Sequence, residues 1–436
     1  MSKHLNLGLF IRAHGHHLAA WRSPGTPADA GVNLSHYRRI AQTAERGKLD
    51  FIFLADSVGV RASEQPMDAF RRSAHIAHFE PITLLSALSG ATERIGLAAT
   101  ASTTYNEPYS IARQFASLDL LSEGRAAWNV VTSNGIGEAA NFGRDPHLEH
   151  ALRYHRAEEF LDVVKALWDS WEDDAFIWDK KSGLVFDPDK LHMPHHNGEH
   201  FSVRGPLNVS RPPQGHPVII QAGGSGPGRD LAARTAEVIF AVHANLGDAQ
   251  TFYSDIKERV QRAGRSPGHL KVMPGLCPIV GSSRAHAQER YEALQELLDP
   301  GLAVSQVSNL LDMDLSGYPL DGPVPELTGT TASKTRLKLL TDVARQEGLT
   351  LLQLARRISG TRGHYQLIGT AADIADEMQA WFEGSAADGF TIMPADLPHG
   401  LDEFIDGVVP ELQRRGLFRT EYAGRTLREH LDLPRP

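Results

Sequence analysis

Eight short apolar runs punctuate the chain, each followed by a longer stretch with helical spacing: "LNLGLFI", "DFIFLAD", "RIGLAATAST", "AAWNVVTS", "HPVIIQAGG", "EVIFAVHA", "KVMPGLCPIV" and "GFTIMPAD". Their apolar residues are continuous and do not alternate, the pattern of strands covered on both faces. Strands separated by helices imply parallel pairing, since a parallel neighbour is reached only through a crossover. About eight such units predict an α/β fold, a (β/α)8 TIM barrel ringed by helices, with residues 1–436 forming a single domain.

Boundary signals agree with this reading. In "NEPYSIARQFASLDLLSEG", Pro108 opens a helix and Gly124 follows it. "GLDEFIDGVVPELQRRG" carries acids early and arginines late, with Pro410 expected to bend it. Two stretches exceed ordinary connections: residues 172–216, after strand four, and residues 299–370, after strand seven, the latter with helices expected near Lys334–Gln346 and Leu349–Ile358. Both are expected to act as lids over the strand ends.

Composition narrows the partners. With 41% hydrophobic and 22% charged residues the chain reads as globular, and a net charge of -9 disfavours nucleic acid. No apolar run approaches the ~18 residues needed to cross a membrane, and the N-terminus lacks a signal peptide's apolar core. The single cysteine, Cys277, lies in an apolar run and reads as a buried, inert thiol; a cytoplasmic location is expected.

In such a barrel, chemistry sits at the C-terminal ends of the strands. Those ends offer His14, His16 and His17, then Asp56, Ser102 and Thr103, Asn129, Thr132 and Ser133, Gln221, His243 and Asp396. A His-x-His after the first strand also suits a metal-dependent amidohydrolase-like hydrolase, with His243 and Asp396 as further ligands. That donor set is incomplete, because strand four ends without lysine and strand five without histidine, so no metal is expected. "HMPHHNGEH" reads as a solvated loop, whereas His150 and Tyr154, four apart on a helix, share a face and can grip one ligand group. "LTLLQLARRISG" reads as a packed insertion helix. The glycine-rich turn of "QAGGSGPGRDLAARTAE" lies between a strand and a helix, where backbone amides favour a phosphate. It has neither the lysine of a P-loop nor the spacing of a dinucleotide fingerprint, so it reads either as a plain tight turn that needs glycine or as a cradle for the phosphate of a mononucleotide.

Long blocks of the chain, among them "EGRAAWNVVTSNGIGEAANFG", "HLEHALRYHRAEEFLDVVKALWDSWEDDA" and "GPLNVSRPPQGHPVIIQAGGSGPGRDLAARTAE", resemble the flavin-dependent monooxygenases typified by nitrilotriacetate, dibenzothiophene-sulfone and long-chain alkane monooxygenases, a branch of the bacterial luciferase-like family. The resemblance runs from about Leu7 to Leu431 and departs mainly at "GGSGPG". It implies a two-component monooxygenase. Reduced FMN (FMNH2) would come from a separate NAD(P)H-dependent flavin reductase, and O2 would oxygenate a small organic substrate through a C4a-hydroperoxide. A homodimer or homotetramer is also implied. Carried over by position, the flavin contacts fall on Asp56, Ser102, Asn129, His150, Tyr154, Ser225 and Gly226, with His17 as a substrate-side acid/base group. A non-catalytic flavin-binding protein on the same barrel is the other alternative.

Overall fold

A computed structural model describes residues 4–60, 67–133, 135–143, 148–311, 313–325 and 334–436. The first four runs form β1 (Asn6–Phe10), β2 (Phe51–Leu54), β3 (Gly96–Ser102) and β4 (Ala126–Val131). Two small hairpins follow, β5 (Phe176–Asp179) with β6 (Leu184–Phe186) and β7 (His196–Asn197) with β8 (Ser202–Val203). The remaining runs form β9 (Val218–Gln221), β10 (Val238–Ala241), β11 (Lys271–Val280) and, after β12 (Tyr365–Gly369), β13 (Gly389–Ile392). The sheet order β10-β9-β4-β3-β2-β1-β13-β11 is entirely parallel, and pairing of β10 with β11 closes it into an eight-stranded barrel. β12 extends the far half of β11 beyond the ring, with Leu276 opposite Tyr365 and Val280 opposite Gly369.

The barrel interior is one apolar cluster of Phe51, Phe53, Ala98, Ala127, Val218, Ile220, Val238 and Met273. Side chains two apart on a strand share a face, so these positions define the inward register of each strand. Leu427, which opens the C-terminal helix Leu427–His430, joins that cluster together with Leu431 and Leu433 just beyond it. They plug the end where the strands begin: a Cβ on Gly96, the first residue of β3, would sit 2.7 Å from Leu427 Cδ1. Polar groups stitch the same end. Buried Asp50 accepts the Leu7 amide at 2.6 Å and pairs with Arg419. Asp119, whose pKa burial lifts to about 6, accepts the Ala126 amide at 3.0 Å and the Gln214 side chain at 2.6 Å.

The two long excursions leave the barrel at opposite ends. Helix His150–Trp168 carries the chain from the end of β4 back to the base, so residues 172–216 begin there: Asp173 pairs with Arg435 and Gln214 meets Asp119. No described residue of this stretch lines the cavity at the barrel mouth. The expectation that it forms a lid is therefore corrected, because an insertion after the helix of a β/α unit emerges beneath the strands. The later excursion leaves directly from β11 and precedes the helix Ala371–Glu383 that returns to β13, so it stays at the mouth. Its helices include Pro300–Leu311, Lys334–Glu347 and Leu351–Ile358. They build a separate apolar core around Leu302, Val307, Leu311, Leu354 and Ile358, which also encloses Leu18 and Ala19 of the first loop. Leu351 and Leu354 explain the leucines of "LTLLQLARRISG" as packing residues.

Pro410 lies in helix Val409–Arg414, just after a π-helical turn at Phe404–Val408 that absorbs its missing amide hydrogen. Cys277 is buried, and burial raises its thiol pKa far above neutrality. Among the described residues, no helix is long and apolar enough to cross a membrane.

Leu431→Ala leaves a hole in the plug and is expected to cost about 2–5 kcal/mol, read as a lower urea midpoint. Leu184→Ala, at a side chain 57% exposed, should change stability by about 0.5 kcal/mol or less. Equal shifts in the two variants would contradict the plug.

Candidate active site

The inward register carries polar residues as the strands approach the mouth. Ala98 and Ala127 face inward, so Thr100 and Ser102 on β3 and Asn129 on β4 do as well. Asn129 donates Nδ2 to Thr100 Oγ1 at 2.9 Å, while its Oδ1 is buried without a partner. Ser102 Oγ accepts from the Thr104 amide at 3.1 Å and from Ser133 Oγ at 2.9 Å. Nearby, buried Glu138 accepts from the amides of Gly135 at 2.8 Å and Val58 at 3.2 Å, tying β2 and β4 loops together.

A second set gathers where β9 enters helix Gly226–Thr235. Ser225 caps that helix through its hydroxyl, which accepts the Gly228 amide at 3.2 Å. A Cβ on Gly228 would lie 3.0 Å from Tyr154 Oη and 3.1 Å from Ser225 Oγ, so both hydroxyls converge on the helix start. Cβ atoms on Gly224 and Gly226 would meet nothing within 4 Å. The result is an open pocket of amides and hydroxyls with the positive end of a helix dipole beneath it. The His150 ring lies 4.9 Å from that of Tyr154. Gln221, the last residue of β9, adds a buried Oε1 without a partner.

The third part is a cavity of about 1670 Å³ over the ends of β1 and β2. Arg12, Asp56, His75 and Arg153 line it, together with residues of the later excursion from Gly301 to Leu320. Asp56 accepts from His78 Nε2 at 3.0 Å, and that bond raises the His78 pKa. Two consecutive residues on one helical turn connect this cavity with the amide pocket: Arg153 lines the cavity and donates to the Ser133 carbonyl, and Tyr154 faces the glycine turn.

The opening histidines do not converge on a common point. His14 Nε2 faces the Ala28 carbonyl at 3.2 Å, and His16 Nε2 faces the Phe10 carbonyl at 3.0 Å. His17 Nδ1 accepts the Ala19 amide at 3.2 Å. His243 packs its ring 4.8 Å from that of Phe252, and buried Asp396 lies 3.5 Å from Arg290. The metal-centre alternative thus receives no support from these residues. Among the described residues, the group of potential metal donors that does converge is His155, Glu199 and His200, on the outer flank.

His17 does not line the cavity. A Cβ on Gly360 would lie 3.0 Å from its ring, and its Nε2 is buried without a partner. Several polar residues of the mouth escaped the strand-end reading: Arg12, His75, Glu138, Arg153 and Arg362. Two had a signal. Arg12 is the first polar residue after the run of β1, and Arg153 lies in register with Ala157, Phe160 and Val164 on the buried face of its helix. His75 and Arg362 belong to loops and are brought in only by the fold.

The chain matches the model of the family described as luciferase-like monooxygenase over residues 14–389. It is 52% identical to N-acetyl-S-(2-succino)cysteine monooxygenase of Bacillus subtilis (strain 168) and 49% identical to nitrilotriacetate monooxygenase component A of Aminobacter aminovorans, in each case over 100% of this chain and 98% of the relative. Among solved structures it resembles a riboflavin lyase determined with modified FMN and riboflavin, with a TM-score of 0.87 and 33% identity, covering 98% of this chain and 96% of that one.

Burial lowers the pKa of both His16 and His17 from 6.5 to about 4. The unfolded chain takes up protons below 6.5 that the folded chain refuses, so their stabilisation is complete above pH 6.5 and declines as the pH falls toward 4. Each ring accounts for at most about 3 kcal/mol of that decline. Urea midpoints measured from pH 7 to pH 4.5 should fall, with a shallower slope in His17→Asn; an unchanged slope in the variant would contradict a neutral, buried His17.

Proposed function

The chain belongs to the luciferase-like monooxygenase family, and from that premise we propose that it oxygenates a small organic substrate using O2 and reduced FMN delivered by a separate NAD(P)H-dependent flavin reductase. The observation that carries this reading is the open amide pocket at the start of helix Gly226–Thr235, with the Ser225 and Tyr154 hydroxyls directed to one point. Such a pocket suits a phosphate monoester, which binds helix-start amides and neutral hydroxyls. Bound FMNH2 supplies the two electrons that let O2 place one oxygen atom in the substrate and release the other as water.

The chain's own residues supply binding, orientation and shelter. Ser225, Tyr154 and the amide of Gly226 hold the phosphate, with His150 against the Tyr154 ring. Asn129 and Ser102 offer hydrogen bonds at the inner mouth to the polar edge of the ring system, Asn129 through the Oδ1 that no residue satisfies. Asp56, held by His78, faces the cavity from the opposite side. The later excursion covers that cavity with Leu302, Val304, Leu310 and Met313, limiting the entry of water. His17 enters this reading as an acid/base group whose Nε2 carries the ring proton, because Nδ1 accepts the Ala19 amide, and which can donate through that nitrogen. A relative named as one component of its monooxygenase accords with a partner reductase.

Purified protein should bind FMN, more tightly when reduced, and should consume substrate only with a reductase or chemically reduced FMN present. Ser225→Trp fills the phosphate pocket and should weaken FMN binding about 10-fold or more, the loss of one or two good hydrogen bonds. His195→Ala, at an exposed loop residue, should leave FMN binding unchanged. Failure of FMN to bind in either redox state would overturn the reading.

A further inference from the structure

The cavity beside the proposed flavin pocket carries buried side-chain donors that no described residue satisfies. Arg12 Nη1 and Arg362 Nε line it without a hydrogen-bond partner, and so does the side-chain nitrogen of Gln306. A guanidinium nitrogen donates and never accepts. Within the described residues neither Arg12 nor Arg362 has an ion pair. The acids on the same walls are engaged elsewhere: Asp56 with His78 at 3.0 Å, Asp68 with Arg72 at 3.4 Å, and Asp314 with the Ser316 amide at 2.9 Å. Among the described residues, no buried side-chain oxygen on these walls lacks a partner.

Both arginines are held in place by the fold. Arg12 leaves the end of β1, in a turn closed by a 2.8 Å bond from the Gly15 amide to its own carbonyl. Arg362 sits between helix Leu351–Ile358 and β12, at a φ of 53° that a residue other than glycine rarely adopts. Its amide donates to the Ile358 carbonyl at 2.8 Å, and the neighbouring Ser359 carbonyl accepts the Leu18 amide at 3.0 Å. The segment bearing Arg362 is therefore fastened to the loop that follows Arg12. Burial lowers the Arg362 pKa to about 10, still well above neutrality, so the side chain remains a cation. A buried cation without a counter-charge is costly, and a ligand that brings the charge recovers the loss.

We propose that this cavity selects an organic carboxylate as substrate, with Arg12 and Arg362 as its specificity-determining residues. A carboxylate is acceptor-only and planar, and it matches the guanidinium fork. The proposal rests on the flavin monooxygenase reading for the reaction, though not for the binding step.

The test is calorimetric binding, without flavin, of two carboxylates, nitrilotriacetate and N-acetyl-S-(2-succino)cysteine, and of neutral dibenzothiophene sulfone. It uses the intact protein and the variants Arg12→Met, Arg362→Met and Arg362→Lys, each also titrated with FMN. At least one carboxylate should bind, more weakly as salt is raised, and lose at least about 30-fold in affinity in each Met variant. Arg362→Lys should recover part of the loss, and FMN affinity should be unchanged throughout. Equal carboxylate affinity in protein and Met variants, tighter binding of the neutral sulfone, or no carboxylate binding at millimolar concentration would each overturn the proposal. Loss of FMN binding by the unaltered protein would instead overturn the flavin reading.

Discussion

A parallel sheet that closes on itself makes every strand point the same way, and the rest of the molecule is arranged around that polarity. All strand ends open at one rim, where neither the barrel interior nor the helical ring can satisfy polar groups, so that rim is where ligand-seeking side chains accumulate. At the other end, the leucines in and just after the C-terminal helix and the Asp50 and Asp119 networks seal the base. The orphaned Asn129 and Gln221 oxygens lie on the open side, whereas Asp50 and Asp119, each accepting a backbone amide, lie on the closed side.

The same polarity decides what an insertion can reach. A segment placed before the helix of a β/α unit stays at the rim, and one placed after it is confined to the base and flank. Residues 281–370 meet the first condition and residues 172–216 the second. That distinction was available in the sequence, since a helix pattern precedes "DKKSGLVFDPDK", but length alone does not reveal it.

Much of the architecture was legible because continuous apolar runs carry their own signal: all eight became barrel strands. β12 was not, because "YQLIG" is interrupted by Gln366 and pairs only with the far half of β11. Position along a strand predicted polarity better than role. Ser102, Asn129 and Ser225 reach the mouth as their places in the β/α units require, whereas His243 and Asp396, equally polar and equally terminal, pack against the Phe252 ring and lie beside Arg290, respectively. Residues whose importance arises from an absent partner, such as Arg362, leave no trace in composition or period. Only the assembled fold shows that no described residue answers their charge.

The later excursion has a core of its own, gripping the rest of the protein through Leu18 and Ala19 of the first loop. It is also tied to the barrel by the pairing of β12 with β11 and by the Leu18 amide on the Ser359 carbonyl. Substitutions among the residues that line the cavity from this side therefore fall on a core distinct from the one inside the barrel.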